Sequence, residues 1–311
     1  MTIIATWIAQ NIENSENKYL VIASDSRVTG GGAWDCCPKI FPLGREDSVI
    51  AFCGTTNFTY PLILQVLTTI KNYRKALSRE LDICELAGHI LKMLNGMLSS
   101  IKDAPFKETD FKLILAGFSQ KLNNFCVWEY RYDDFRNEEN EKVSLDRYEG
   151  DKAVQKKDKL SIHRTILDLD KTPILFFGDR TNDAMNILLK KLSSKRHLNG
   201  SNDEFSYLDK RYLKRANLGL IPLQVIAELS TDSEVYEIGG APQIFKVYSY
   251  IRTLPFNVLW PCDNPRYIAH LGRPLLDYES SIYGCYDLRD LSLYTHQKAI
   301  EKILQKPEKE V

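Results

Sequence analysis

The sequence predicts an α+β fold in which two antiparallel sheets stack face to face with helices outside them. Three observations carry this expectation. Read from its hydrophobic period, the chain runs strands, two helices, strands, helices, strands, an order that two stacked sheets with outer helices would satisfy. Several strands, residues 20–24 above all, are apolar almost throughout, the pattern of a strand covered on both faces. The period then turns helical after residue 60.

Residues 2–9 combine β-branched and aromatic side chains without a breaker and predict the first strand. Residues 11–17 are a polar turn and 20–24 the second strand, followed by a flexible Gly30-Gly31-Gly32 turn. Strands at 39–42 and 49–53 complete what reads as a compact antiparallel meander over 2–53. Leu62, Ile63, Val66, Leu67, Ile70 and Tyr73 mark one helical face within 60–77; Leu86, Ile90, Leu91, Leu94 and Leu98 mark another within 82–101. Strands return at 111–116 and 125–132. Residues 133–160 are highly charged and read as a solvated excursion. A buried strand at 173–177, a helix at 183–192, a loop at 193–203 and a helix at 222–229 follow. Residues 234–238 and 243–247 flank Gly239-Gly240 as a closing hairpin. These elements define a domain over 1–253. Residues 254–311 form an extension of unassigned role, rich in Pro and Tyr, with a helical segment at 293–304.

Composition narrows the function classes. The 41 basic and 41 acidic residues balance, so no field of one sign favours nucleic acid. No apolar run is long enough to span a bilayer, and the amino terminus lacks a secretory pattern. Seven cysteines without a CxxC pair suggest neither zinc nor a disulfide framework, which fits a reducing cytoplasm. Cys36-Cys37 either line a substrate pocket or pack. Cys53 reads as a buried strand cysteine rather than a nucleophile, and the five histidines form no metal spacing.

The chemistry centres on Thr2. Removal of Met1 would leave one residue with a hydroxyl and a free α-amine, a nucleophile and a base together. A lysine in a covered strand, Lys39, needs a partner, and Asp25 offers one. Thr2, the run Ile22-Ala23-Ser24-Asp25-Ser26-Arg27-Val28-Thr29, Lys39 and Ala51-Phe52-Cys53-Gly54 resemble the catalytic strands of proteasome β subunits. They also resemble those of the simpler bacterial proteasome-like peptidase that works with an unfoldase ring. The resemblance is to the N-terminal nucleophile hydrolases. It implies a four-layer αββα sandwich and hydrolysis of amide bonds, most simply in a peptide or protein substrate, without a cofactor. It also implies self-association, possibly as a ring, while a regulator or unfoldase partner is left open.

The resemblance assigns roles residue by residue. Thr2 Oγ attacks a carbonyl, and its amine, with an ordinary pKa of roughly 7.7–8.0, takes the proton. The Lys39 ammonium lowers the pKa of both groups, and Asp25 holds Lys39 in place and keeps it charged. The backbone N–H of Gly54 faces the developing oxyanion. Asp232 resembles the aspartate that supports the threonine. Thr29 resembles the segment that pairs with an extended substrate. Arg27 forms an ion pair beside the site and is counted with Thr29 and Asp179 on the substrate side. Asp179 departs from the pattern, since the family usually places serine there; a carboxylate near the amine raises its pKa and opposes its work as a base. That departure keeps two alternatives open: a scaffold or partner-binding module without turnover, and a small-molecule amidase of the same class.

Overall fold

Trp7 and Val21 face each other across the first strand pair, β1 (Ile3–Gln10) and β2 (Lys18–Ser24). They belong to a computed structural model that describes residues 2–10, 18–100, 111–132, 160–197, 213, 217–262 and 265–304. The fold is mixed α+β. In β1, Ile3, Ala5 and Trp7 enter one apolar cluster, while Ile4 and Ile8 enter another. Both faces are therefore covered, which explains an apolar strand without alternation.

A short ribbon, β3 (Val28–Thr29) and β4 (Ala33–Trp34), precedes β5 (Ile40–Pro42) and β6 (Ser48–Gly54). Helices α1 (Thr56–Asn72), α2 (Arg74–Leu77) and α3 (Ile83–Leu98) follow. Asp82 and Glu85 close a capping box at the start of α3. Next come β7 (Phe111–Ser119), β8 (Asn124–Tyr132), β9 (Leu160–Ile166), β10 (Ile174–Gly178), α4 (Thr181–His197) and α5 (Ile221–Thr231). The chain continues through β11 (Gln243–Tyr248), β12 (Arg252–Trp260), β13 (Tyr267–His270), β14 (Arg273–Pro274), β15 (Cys285–Asp287), β16 (Leu293–Tyr294) and α6 (His296–Leu304). No described helix is long and apolar enough to cross a membrane.

One open sheet has the order β10-β1-β2-β11-β12-β13-β14, with β15 parallel to β12 and β16 on β15. A five-stranded antiparallel sheet has the order β5-β6-β7-β8-β9. Leu188, Leu223 and Ile226 of α4 and α5 pack on β1 and β2 in one cluster. Ile63, Val66, Leu86 and Ile90 of α1 and α3 pack on Phe52, Leu113 and Trp128 in a second. A third draws on both sheets, with Ile4 and Ile22 from one and Ile40, Val49 and Ala51 from the other.

The pairing corrects several expectations. Residues 2–53 do not form a meander: β1 and β2 lie in one sheet, β5 and β6 in the other. Their apolar faces meet through the shared core instead of pairing edge to edge. The hairpin over 234–247 is absent. Residues 234–238 form turns, with the carbonyl of Tyr236 taken by the Arg27 guanidinium, and β11 pairs with β2 and β12. Strand β9 was not anticipated; its half-polar edge sequence hides it beside the charged stretch. Helix α4 runs on to His197. The expectations for 11–17, 133–159 and 198–203 fall outside the described residues.

The boundary expected at 253/254 falls inside β12, whose first half (252–256) pairs with β11 and whose second half (257–260) pairs with β13. Val258, Trp260, Ala269 and Tyr286 join the same apolar cluster as β1 and β2, so the C-terminal segment shares a core with the rest of the chain. Helix α6 packs Ala299 against Leu259, Ile268 and Cys285. Lys246 of β11 donates to Tyr286 Oη at 2.6 Å and lies over the rings of Tyr19 and Phe256, tying β11, β12 and β15 together.

Asp287 secures this segment. It accepts both arms of the buried Arg266 guanidinium at 2.6 and 3.0 Å, and Arg289 adds two more bonds at 3.0 and 3.2 Å. Burial pushes the Asp287 carboxyl up, but the two arginines outweigh it and hold it well below the usual carboxylate range. Asp287→Ala strands a buried guanidinium and is expected to cost about 3–5 kcal/mol in urea unfolding at neutral pH. Because the folded value is depressed, that stability is present above the unfolded pKa of about 3.9 and is lost as pH falls through the folded value. The gap between parent and variant should therefore narrow below about pH 4. A gap independent of pH would show that the charge contributes nothing.

Candidate active site

The start of β1 and the end of β2 bring the first polar residues together. Ile4 lies opposite Ser24, so Thr2 and Asp25 flank the same end of the ladder. Thr2, Asp25 and Lys39 are all buried, the last two completely. The Asp25 carboxylate accepts the backbone N–H of Ile3 at 3.1 Å, of Arg27 at 3.2 Å and of Gly239 at 3.2 Å. It also accepts Lys39 Nζ at 2.9 and 3.0 Å. A buried carboxylate with this many donors is fully engaged.

Lys39 immediately precedes β5, and its backbone carbonyl accepts the N–H of Phe52 at 3.2 Å. Its Nζ donates to Thr2 Oγ1 at 2.7 Å. Burial pushes the lysine below its ordinary pKa, and Asp25 opposes the shift. An ammonium in hydrogen-bond contact with a hydroxyl favours its conjugate base, so the geometry suits activation of Thr2 Oγ.

Asp179 meets Thr2 twice. Its N–H donates to the Thr2 carbonyl at 2.8 Å, and its Oδ2 accepts the Thr2 N–H at 2.7 Å. This close approach needs the preceding Gly178, whose φ is +95° and whose added Cβ would lie 2.0 Å from the Thr2 carbonyl oxygen.

Gly54 ends β6 with φ +95°, just before α1 begins at Thr56. That end of β6 abuts the threonine: a Cβ on Gly178 would lie 3.3 Å from Cys53 Cβ as well. Burial raises the Cys53 thiol to about 12 and also raises Cys37, so neither is a thiolate at neutral pH. A cavity of about 520 Å³ opens at Pro38, the residue before Lys39, lined also by Val28, Trp34, Cys36, Cys37, Thr56 and Tyr60. The two cysteines thus line a pocket.

Of the remaining expected residues, one falls elsewhere and two are engaged by neighbours. Asp232 lies exposed at the end of α5, and its carboxylate accepts the nearby N–H of Glu234 at 2.9 Å. It caps a local turn, because residues 232–238 do not fold as the hairpin strand that would have carried it inward. Arg27 forms the expected ion pair: its guanidinium is bidentate to Asp35 at 2.6 and 2.9 Å and donates to the Tyr236 carbonyl at 2.9 Å. Thr29 is half-buried and paired with Ala33 of β4, so one edge of β3 is occupied.

Gln243 and Gly239 are contributors that the sequence reading missed. Gln243 is fully buried; its Oε1 accepts the Lys39 N–H at 3.0 Å and its Nε2 donates to the Cys37 carbonyl at 2.7 Å. Gly239 supplies an N–H to Asp25 and its carbonyl accepts the N–H of Ser26. A glutamine opening the largely apolar strand QIFKVY was the available signal, since a buried amide requires partners. Among the described residues no group of three His, Cys, Asp or Glu side chains is placed to hold a metal ion. No protein-family model matches this chain, and no curated protein matches it.

Proposed function

We propose that the protein is an N-terminal threonine hydrolase that cleaves amide bonds, with peptides as its substrate class. The observation that carries this reading is Lys39 Nζ, 2.7 Å from Thr2 Oγ1 while paired to Asp25 at 2.9 Å. In the proposed reaction Met1 is removed first. Thr2 Oγ attacks the substrate carbonyl carbon as the Thr2 amine takes the hydroxyl proton. The backbone N–H of Gly54 would stabilise the oxyanion. Collapse of the tetrahedral intermediate breaks the C–N bond, and the leaving amine takes the proton from the Thr2 ammonium. Water then hydrolyses the ester and frees the carboxylate product and Thr2. Lys39 stays protonated throughout and contributes through its charge.

On this reading the chain would adopt the four-layer αββα sandwich of the proteasome-like hydrolases. Supporting it are the two helix-covered clusters and the third drawn from both sheets. Self-association through the helical layers, with a ring as one form of it, belongs to the same proposal.

Intact mass and a threonine-directed electrophile such as a β-lactone test the reading. The expected result is a chain lacking Met1, a single adduct mapped to Thr2, and none on Thr2→Ala. Retention of Met1 or an adduct-free Thr2 would remove it. Asp179, bound to the Thr2 nitrogen, favours the second reading of a partner-binding scaffold without turnover. Unchanged biological activity in a folded Thr2→Ala protein would select that alternative. Fluorogenic peptides run against simple amides separate a peptidase from a small-molecule amidase.

A further inference from the structure

The turn between β13 and β14 lies far from Thr2 in sequence, yet it reaches the floor of the site. Leu271, with φ +49°, packs against the apolar cluster shared by both sheets. Gly272 beside it is buried, with φ +92°. A Cβ at Gly272 would sit 2.5 Å from Ser26 Cβ, 3.0 Å from Ser26 Oγ and 3.3 Å from Gln243 Nε2. The turn is thus in direct contact with the two residues that tie the segments bearing Asp25 and Lys39.

Those ties are specific. Ser26 accepts the Cys37 N–H at 3.0 Å through its carbonyl and donates its Oγ to the Asp35 carbonyl at 2.8 Å. Gln243 holds the backbone of Lys39 and Cys37 through the two ends of its amide. Ser26 is crowded by a second glycine as well. At Gly240 a Cβ would come 2.3 Å from Ser26 Oγ and 2.2 Å from the Asp35 carbonyl. The turn is itself fixed to the sheet. Asn257 of β12 pairs with His270, their side chains meet at 2.7 Å, and Asn257 Nδ2 binds Ser281 Oγ at 2.8 Å.

We propose that Leu271-Gly272, supplied by the C-terminal segment, is a positioning element for the Lys39–Asp25 couple and acts through Ser26 and Gln243. The segment is then a wall of the site, not an appendage beside it. The inference rests on the threonine-hydrolase reading only for its consequence in catalysis; the positioning of Lys39 stands apart from it.

Gly272→Ala is the test. An added methyl must displace Ser26 by about an ångström to reach ordinary contact, and a shift of that size in a catalytic group can cost about 100-fold. Acylation of Thr2 by the β-lactone is expected to slow by about 10- to 100-fold. With the Lys39 charge drawn away, the Thr2 amine becomes more basic, so the ascending limb of the pH–rate profile moves to higher pH. Independently of turnover, the NMR signal of the Lys39 ε-methylene, assigned with Lys39→Met, is expected to move.

An unchanged Lys39 signal in a folded variant overturns the inference, as does a wild-type rate and limb in a variant of the acylated parent. A parent that is never acylated, but whose Lys39 signal moves in Gly272→Ala, removes the hydrolase reading and leaves the positioning intact. Should Gly272→Ala fail to fold, Leu271→Ala removes the turn's packing on the shared core without adding a Cβ at Gly272, and the same measurements decide.

Discussion

Lys39→Met is expected to slow acylation of Thr2 by about 10²–10³-fold, the loss of one electrostatic donor, and to destabilise the fold at the same time. The variant leaves Asp25 buried without its cation. Removing one partner of a buried pair costs about 3–5 kcal/mol. The low end is expected here, because the N–H groups of Ile3, Arg27 and Gly239 still bind the carboxylate. The two losses have different origins, and a second substitution separates them. Lys39→Met with Asp25→Asn removes the stranded charge, so urea unfolding should recover part of the lost stability while acylation stays low; recovery is partial because both carboxylate oxygens accept backbone N–H groups and the amide nitrogen cannot. Wild-type acylation in Lys39→Met would show that the contact at 2.7 Å has no catalytic role.

Asp179→Asn is expected to act in the opposite direction. The Asp179 carboxylate lies 2.7 Å from the Thr2 nitrogen. After Met1 is removed, a negative charge at that distance favours the protonated amine and raises its pKa, which withholds the base at neutral pH. The amide keeps an acceptor oxygen but no charge. The ascending limb of the pH–rate profile should therefore move to lower pH by about one unit, and the rate near pH 7 should rise several-fold. Above the limb, where the amine is neutral in both proteins, the two rates should converge. An unmoved limb would mean that the carboxylate does not set the basicity of the nucleophile's own base. Parent and Asp179→Asn protein that are both inert to the electrophile would favour the scaffold reading.

Thr2 also explains why part of the site was legible in the sequence. A buried lysine beside a strand must find a counter-charge, and Asp25 follows the neighbouring apolar run. Asp179 follows a strand that closes on glycine, and it does meet Thr2. Asp232 shows the limit of such reasoning. Its neighbourhood has strand-like composition, but an arginine takes a backbone carbonyl there, and the aspartate stays in solvent.

The local pattern determined where strands and helices form. The 3.6-residue spacing in α1 and α3, the β-branched runs of β1, β2 and β6 and the polar exceptions at Asp25 and Lys39 are properties of short windows. Which strands pair was decided only in three dimensions. So were the seating of β11 between β2 and β12 and the approach of Gln243 and Gly272 to the segments that carry Asp25 and Lys39. Gln243 is separated from Lys39 by 204 residues. Side-chain period is written into each strand, whereas partner and register follow from which covered faces and hydrogen-bonding edges can all be satisfied at once.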